Sequence, residues 1–339
     1  MSRVLTLLQS PLQLLSFMEA CDVFDIRDAC LVYESAGVGD DDRQFVSLAE
    51  QQNLFSRIDQ VAFAQPEDYF HQHQQLVERY AQESFDRVFV GHIHQWMRDF
   101  LVGRHAEVYL LDDGMDTLLN VELTRDSGFN IDYQVLNWRY HREQPLREAA
   151  GYNLPVNQEL YYFSFLNLNH PRHIRHQWNR LLSKAKPVAK LSANPLATTK
   201  TYFLGQGGWI HKEVVSFENY IAAVAVIAGC EELVYIPHRW DGEELIEKIH
   251  HLGVEILTPN QPWELFLCTL NHPFKVVSFT STALLTSLYF NHCTGSRFID
   301  IRVNDGCLKS LYSKGMNAAY SYLYRESQIN PLLKLWENQ

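Results

Sequence analysis

The sequence predicts an α/β fold built as two domains. Two observations carry this. Short β-type runs alternate with helical patterns over the first hundred or so residues, and the alternation restarts after residue 200. Strands separated by helices of this size form parallel βαβ units. The length of 339 residues also suits two domains of roughly 100–200 residues each.

In the first half, Arg3–Leu8 reads as a strand. Ser10-Pro11-Leu12-Gln13 then opens a helix as a capping box, with Ser10 as cap, Pro11 in the first turn and Gln13 three residues after the cap. A strand over Ala29–Tyr33 precedes a helix near Arg43–Gln52. Strands follow at Gln60–Phe63, Arg87–Val90 and Glu107–Leu111, with a polar helix after Pro66. A parallel sheet binds ligands beyond the carboxyl ends of its strands. Gly91-His92-Ile93-His94 and Asp112-Asp113-Gly114 fall there.

Residues 120–200 show no regular pattern. Within them, Asn169–Lys200 gathers Arg172, Arg175, Arg180, Lys184, Lys186, Lys190 and Lys200 together with three prolines. Its second half is read as the connection between domains spanning 1–190 and 191–339, with a cleft between them. In the second half, Thr201–Leu204 is a strand and Ser216 caps an apolar helix running through Ala228. Leu233–Ile236 is a strand, and an amphipathic helix over Asp241–Leu252 ends at Gly253. Val254–Leu257 and Lys275–Phe279 are further strands.

Composition excludes several classes. Charged residues make up 20% and hydrophobic ones 46%, which supports packed cores rather than disorder. The net charge of -11 repels nucleic acid. The six cysteines form no CxxC pair, so zinc-ribbon and thioredoxin readings fail, and buried thiols in a reducing cytoplasm fit them. His71-Gln72-His73 and His92-Ile93-His94 lack a third ligand at helical spacing, so no metal site is expected. The apolar N-terminus is broken by Gln9, Ser10, Pro11 and Gln13 and lacks a signal-peptide layout. No apolar run approaches the roughly 18 residues of a transmembrane helix. A cytoplasmic protein, soluble or peripheral, is expected. The basic stretch 172–190 is either a solvated face or, with Trp178, Leu181 and Leu182 among its cations, a peripheral contact with the inner membrane.

Four features could carry chemistry. Asp112-Asp113-Gly114 follows an apolar strand; adjacent carboxylates raise each other's proton affinity and suit a general base, but the triplet also makes a good surface turn. Pro237-His238-Arg239 ends the strand Leu233–Ile236, where histidine and arginine could meet a phosphate, or could be an ordinary loop. In Ser278-Phe279-Thr280-Ser281-Thr282, a strand runs into hydroxyls at a helix start, which is an anion site or an ordinary cap. Gly205-Gln206-Gly207-Gly208 follows another strand and would let a ligand approach the backbone, though it is neither a Walker A loop nor a GxGxxG fingerprint.

Taken in order, Asp112-Asp113-Gly114, Pro237-His238 and Ser281-Thr282 resemble the motifs of the bacterial sialyltransferases, in particular the lipooligosaccharide sialyltransferase and polysialyltransferase group. Gln9-Ser10-Pro11-Leu12-Gln13-Leu14-Leu15, Phe203-Leu204-Gly205-Gln206 and Pro262-Trp263-Glu264 add to the likeness, which spans residues 9 to about 290. Many members read His-Pro where this chain reads Pro237-His238-Arg239. The resemblance implies a GT-B fold of two Rossmann-like domains, inversion at the anomeric carbon, no metal and no cofactor. It implies a CMP-activated sialic acid as donor, a glycan acceptor, and a place in lipooligosaccharide (lipopolysaccharide) or capsule synthesis. Asp113 would be the base, with Asp112 as its substitute, and His238 would serve the leaving phosphate. Ser281 and Thr282 would hold that phosphate, and Gly205, Gln206, Pro237, Arg239 and Glu264 would belong to the nucleotide pocket. CMP-Kdo, CMP-pseudaminic or CMP-legionaminic acid, a UDP- or GDP-sugar, or non-catalytic glycan binding remain as alternatives, and oligomeric state is open.

Overall fold

The computed structural model describes residues 3–35, 39–62, 66–92, 105–126, 145–146, 149–151, 159–185, 199–301 and 313–336. The chain forms two compact units, Met1–Arg180 and Leu181–Gln339. The boundary expected at 190 lies outside the described residues.

The first unit holds strands β1 (Val4–Leu8), β2 (Ala29–Ser35), β3 (Phe55–Ala62), β4 (Arg87–Val90), β5 (Glu107–Leu110), β6 (Leu160–Ser164) and β7 (His173–Arg175). Its helices are α1 (Pro11–Val23), α2 (Gly39–Glu50), α3 (Pro66–Arg79) and α4 (Asp116–Asp126). All strand pairs are parallel, in the order β3-β2-β1-β4-β5-β6-β7. Every residue of β1 is buried, as a strand covered on both faces requires. Helix α1 starts where the sequence places it: the Ser10 hydroxyl accepts from Gln13 N, and Pro11 needs no N–H in the first turn. Gln13 through Cys21 are all buried, so the apolar N-terminus is a core helix.

The second unit repeats the plan with β8 (Lys200–Leu204), β9 (Leu233–Ile236), β10 (Glu255–Ile256), β11 (Phe274–Ser278), β12 (Cys293–Phe298) and β13 (Leu333–Leu335). Its order is β10-β9-β8-β11-β12-β13, again all parallel. Helix Phe217–Ala228 is capped by Ser216, whose hydroxyl accepts from Asn219 N. Gly253 follows helix Glu243–His251 with φ of 78°, the left-handed conformation that glycine adopts freely.

Each unit therefore has the doubly wound order in which the chain leaves the central strand, builds one side, then crosses to the other. The order reverses between β1 and β4 in the first unit and between β8 and β11 in the second. These are the switch points where such sheets bind ligands.

The stretch 120–200 is more regular than its sequence suggests, since it contributes β6 and β7. In the basic segment, Trp178 is 0% exposed and Leu181 3%, so these two side chains pack into the fold. Two of its cations are paired locally, Arg172 with Glu159 and Arg180 with Asp22. Among the described residues, no helix is long and apolar enough to cross a membrane. Cys21, Cys30, Cys230, Cys268 and Cys293 are free thiols; Cys21, Cys268 and Cys293 are buried, Cys230 is exposed, and Cys307 lies outside the described residues.

Candidate functional sites at two switch points

In the first unit, Asp112 and Asp113 leave the end of β5 in opposite environments. Asp112 is 0% exposed, and its carboxylate is saturated with donors. It accepts from Ser16 at 3.3 Å, from Phe165 N at 3.2 Å and from Ser164, and it pairs with His176 Nε2 at 2.8 Å. These partners come from α1, the end of β6 and the residue after β7, so Asp112 fastens the far side of the sheet to its central helix.

Asp113 remains partly open. Its backbone N donates to Thr117 Oγ1 at 2.8 Å, which fixes the turn into α4. Its Oδ1 accepts from Gln13 Nε2 at 2.5 Å, and its Oδ2 stands 3.4 Å from His92 Nδ1. Burial disfavours a charged His92, but the hydrogen bond and charge of Asp113, with the fields of Asp116 and Glu34, outweigh it and raise its pKa. His94 lies outside the described residues.

Gln13 departs from the capping-box expectation. Its Oε1 accepts from Gln9 N at 2.6 Å, one residue before the cap, and its other amide end crosses to Asp113. Gly91 makes this path possible: a Cβ there would overlap the Gln13 amide. Gln9 in turn donates to Glu34, whose other oxygen stands 3.4 Å from His73 Nε2, and both residues are buried. Sequence reasoning placed His92 and Asp113 at the same sheet edge but missed Gln13 and Glu34 as their surroundings. Their one visible signal was that Gln9, Glu34 and His92 fall just past strands β1, β2 and β4 or at their ends.

In the second unit, β9, β8 and β11 are adjacent, so their carboxyl ends bring the loops of His238, Gly205-Gln206 and Ser281-Thr282 to one edge of the sheet. Asp241 organises this edge. It accepts from Gly207 N at 2.5 Å, from His238 N at 2.9 Å and from Tyr235 OH at 2.6 Å. Tyr235 OH meets Tyr220 OH at 2.9 Å, and Tyr220 OH accepts from Gln206 N at 2.8 Å. Burial raises the pKa of Asp241, against the pull of its donors.

This arrangement gives Gly205 and Gly207 a structural reason of their own. The space a side chain would fill at either is taken by the Asp241 carboxylate, so the glycines accommodate a protein group. Gln206 is likewise structural. Its Oε1 accepts from Ser278 Oγ at 3.0 Å and Thr280 N at 2.9 Å, tying the ends of β8 and β11 together.

His238 is held as a neutral ring. Its Nδ1 accepts from Trp240 N at 3.2 Å, which leaves the proton on Nε2. Loss of water around the ring lowers its pKa to about 4, and Arg239 and Lys212 push the same way. The residue keeps an exposed side, but both causes share one direction. Pro237 is half-buried beside it and Arg239 is exposed.

Ser281 Oγ accepts from Ala283 N at 3.2 Å, and the Thr282 hydroxyl makes no capping bond. The helix they precede, Ala283–Thr286, is one turn long. It carries little macrodipole, so an anion here would rely on the hydroxyls and not on a helix field. Glu264, 6% exposed on helix Trp263–Leu267, receives Thr286 Oγ1 at 3.3 Å, and burial raises its pKa. Trp263 Nε1 donates to Ser287 Oγ at 3.1 Å, so this short helix braces the segment after Thr282.

Two doubly wound α/β units in one chain define the GT-B fold. No family model and no curated protein sequence matches this chain. Solved structures do. An alpha/beta-galactoside alpha-2,3-sialyltransferase from Photobacterium phosphoreum aligns with a TM-score of 0.51 and 12% identity, covering 98% of each chain. A Listeria monocytogenes protein assigned as a UDP-N-acetylglucosamine 2-epimerase aligns at 0.54 and 10% identity, covering 96% of this chain and 89% of that one. The UDP-GlcNAc 2-epimerase of Methanocaldococcus jannaschii, in complex with UDP-GlcNAc and UDP, aligns at 0.50 and 10% identity, over 99% and 89%. At such identities the likeness is one of fold.

Proposed function

We propose that this protein is an inverting, metal-independent glycosyltransferase. It moves a sialic acid, or a related nonulosonic acid, from its CMP-activated form to a hydroxyl of a glycan acceptor. A role in surface lipooligosaccharide or capsule synthesis, at the cytoplasmic face of the inner membrane, follows from that reading.

The observation that carries the proposal is the contrast between Asp113 and His238 at the two switch points. Transfer needs a proton acceptor for the incoming hydroxyl and a donor for the departing phosphate. Asp113 is a partly open carboxylate, whereas Asp112 spends its oxygens on buried donors. In the proposed step the acceptor oxygen bonds to the anomeric carbon, and its proton passes to Asp113. The bond from that carbon to the phosphate oxygen breaks, and CMP leaves with the electron pair.

His238 meets the leaving phosphate by hydrogen-bond donation from Nε2. A ring whose pKa is near 4 is neutral at pH 7, so it donates without being a cationic acid. Ser281 and Thr282 supply hydroxyls to the same phosphate, and Arg239 supplies charge. Glu264 is a buried carboxylate that can accept from two neighbouring hydroxyls of a nucleoside. One phosphate is a small enough charge for these groups to hold without a cation.

The test is product analysis with CMP-sialic acid, CMP-Kdo and CMP-pseudaminic acid across a small acceptor panel, with and without EDTA. Transfer from a CMP donor that survives EDTA supports the proposal. Turnover of UDP-GlcNAc with no transfer from any CMP donor would overturn it in favour of a UDP-sugar enzyme on the same fold.

A further inference from the structure

We infer that Gln13 is the positioning residue for Asp113, itself fixed by the backbone N–H of Gln9 and, through the Gln9 side chain, by the buried pair Glu34–His73. The inference rests on the reading of Asp113 as base but reaches residues which that reading does not require.

Gln13 is 0% exposed. A buried amide costs free energy unless both ends are satisfied. An apolar residue of similar size would suit the all-buried face of α1 better. The chain instead keeps the amide, and Gly91 leaves room for it to cross.

The orientation of that amide is unambiguous. Gln9 N is a backbone donor, so the Gln13 end facing it must be the oxygen. The end facing Asp113 is then the NH₂ group, which can only donate. Gln13 therefore fixes Oδ1, leaving Oδ2 toward His92. One carboxylate oxygen is held by Gln13, and the other faces His92 at the partly open side of Asp113.

The next links hold Gln9. Its side chain donates to Glu34 Oε2, while Glu34 Oε1 faces His73 Nε2 at 3.4 Å. Gln9, Gln13, Glu34 and Asp113 thus come from the ends of β1, β2 and β5 and the first turn of α1, and form one hydrogen-bonded chain across the switch point. The charged groups facing Asp113 and His92 from these elements are Glu34 at the end of β2 and Asp116 in α4. Both are acidic, so without Gln13 the carboxylate would meet them with one donor fewer.

Gln13→Met tests this, because it keeps length and volume and removes only the amide. Transfer from the CMP donor should fall roughly ten- to hundredfold in kcat, the scale of one hydrogen bond to a charged group. The donor KM should stay unchanged. Glu34→Gln, which preserves every side-chain shape, should give the same pattern more weakly. A second readout needs no substrate: the ring of His92, followed by NMR, should titrate at lower pH in Gln13→Met, because a freed Asp113 no longer presents Oδ2 to it. Unchanged kcat and His92 titration in a folded Gln13→Met protein would overturn the inference. If the wild type transfers nothing from any CMP donor, the functional reading fails, and the His92 titration still decides the role of Gln13.

Discussion

The two units share one strand order and differ in the chemistry at their switch points. Past β1 and β4, carboxylates and buried amides surround a histidine whose proton affinity is raised. Past β9, beside β8, loss of water and the nearby Arg239 and Lys212 lower the proton affinity of His238. The backbone plan is the same, so the difference comes from the few residues just beyond each strand. Loss of water disfavours the imidazolium at both rings; Asp113 outweighs it at His92, whereas Arg239 and Lys212 add to it at His238. One strand order thus supports two histidine environments of opposite sign through the residues around its strand ends.

The sharpest break in this contrast is at Asp113. Asp113→Asn keeps the shape and removes the proton acceptor, and loss of a general base costs about 10²–10⁴-fold in rate. Stabilisation of the protein by CMP should be unchanged, since the phosphate-holding groups belong to the other unit. A variant that transfers normally would reduce Asp113 to a turn residue.

Asp112→Asn should differ in kind. It replaces the acceptor of a buried pair with His176 and leaves the Ser16, Ser164 and Phe165 donors short of a partner. Breaking a buried pair costs about 3–5 kcal/mol, so the melting temperature should drop sharply, as calorimetry would show. A stable Asp112→Asn protein that has lost only its activity would reverse the roles of the two aspartates.

The strands that place these residues were legible in the sequence. Arg87–Val90 and Leu233–Ile236 were read with both ends correct, because each is an apolar run bounded by breakers. The motifs of Asp113 and His238 follow from such strand ends. What holds them was not legible. Gln13 and Asp113 are 100 residues apart, and Asp112 and His176 are 64 apart. No local pattern encodes a pairing at that distance. Gln13 looked like a capping-box residue, since the Ser-x-x-Gln pattern is satisfied by its neighbours alone. Gly205 looked like a ligand cradle, because a glycine made necessary by Asp241 reads the same as one made necessary by a phosphate. Strands β6 and β12 were missed for a different reason. Cys293-Thr294-Gly295-Ser296-Arg297-Phe298 has the composition of a loop and becomes a strand through pairing with β11 and β13.

At the second switch point, His238→Ala should slow transfer roughly ten- to hundredfold, the value of one hydrogen bond to a charged phosphate. The pH dependence separates donation from acid catalysis. With its pKa lowered to about 4, the His238 ring of the free protein should show no titration between pH 5 and 8 by NMR. The unfolded chain takes up this proton near pH 6.5, so this group's share of stability should fall as pH drops from there toward 4. A His238 midpoint at 6.5 or above would remove the contrast with His92.

The smallest expected effect is at Glu264. Burial raises its pKa, so its charged form weakens the fold as pH rises above the ordinary carboxylate range. Glu264→Gln should raise the melting temperature slightly and weaken nucleotide binding. A variant that is both less stable and equally able to bind would make Glu264 a structural acid.

The account is tested most directly by thermal stabilisation with nucleotides. CMP and CDP should raise the melting temperature of the wild type, and of Asp113→Asn to the same extent, while UMP, GMP and UDP-GlcNAc do so much less. Ser281→Ala combined with Thr282→Ala should remove most of the CMP effect. Stabilisation by a UDP or GDP nucleotide exceeding that by any cytidine nucleotide would contradict the account.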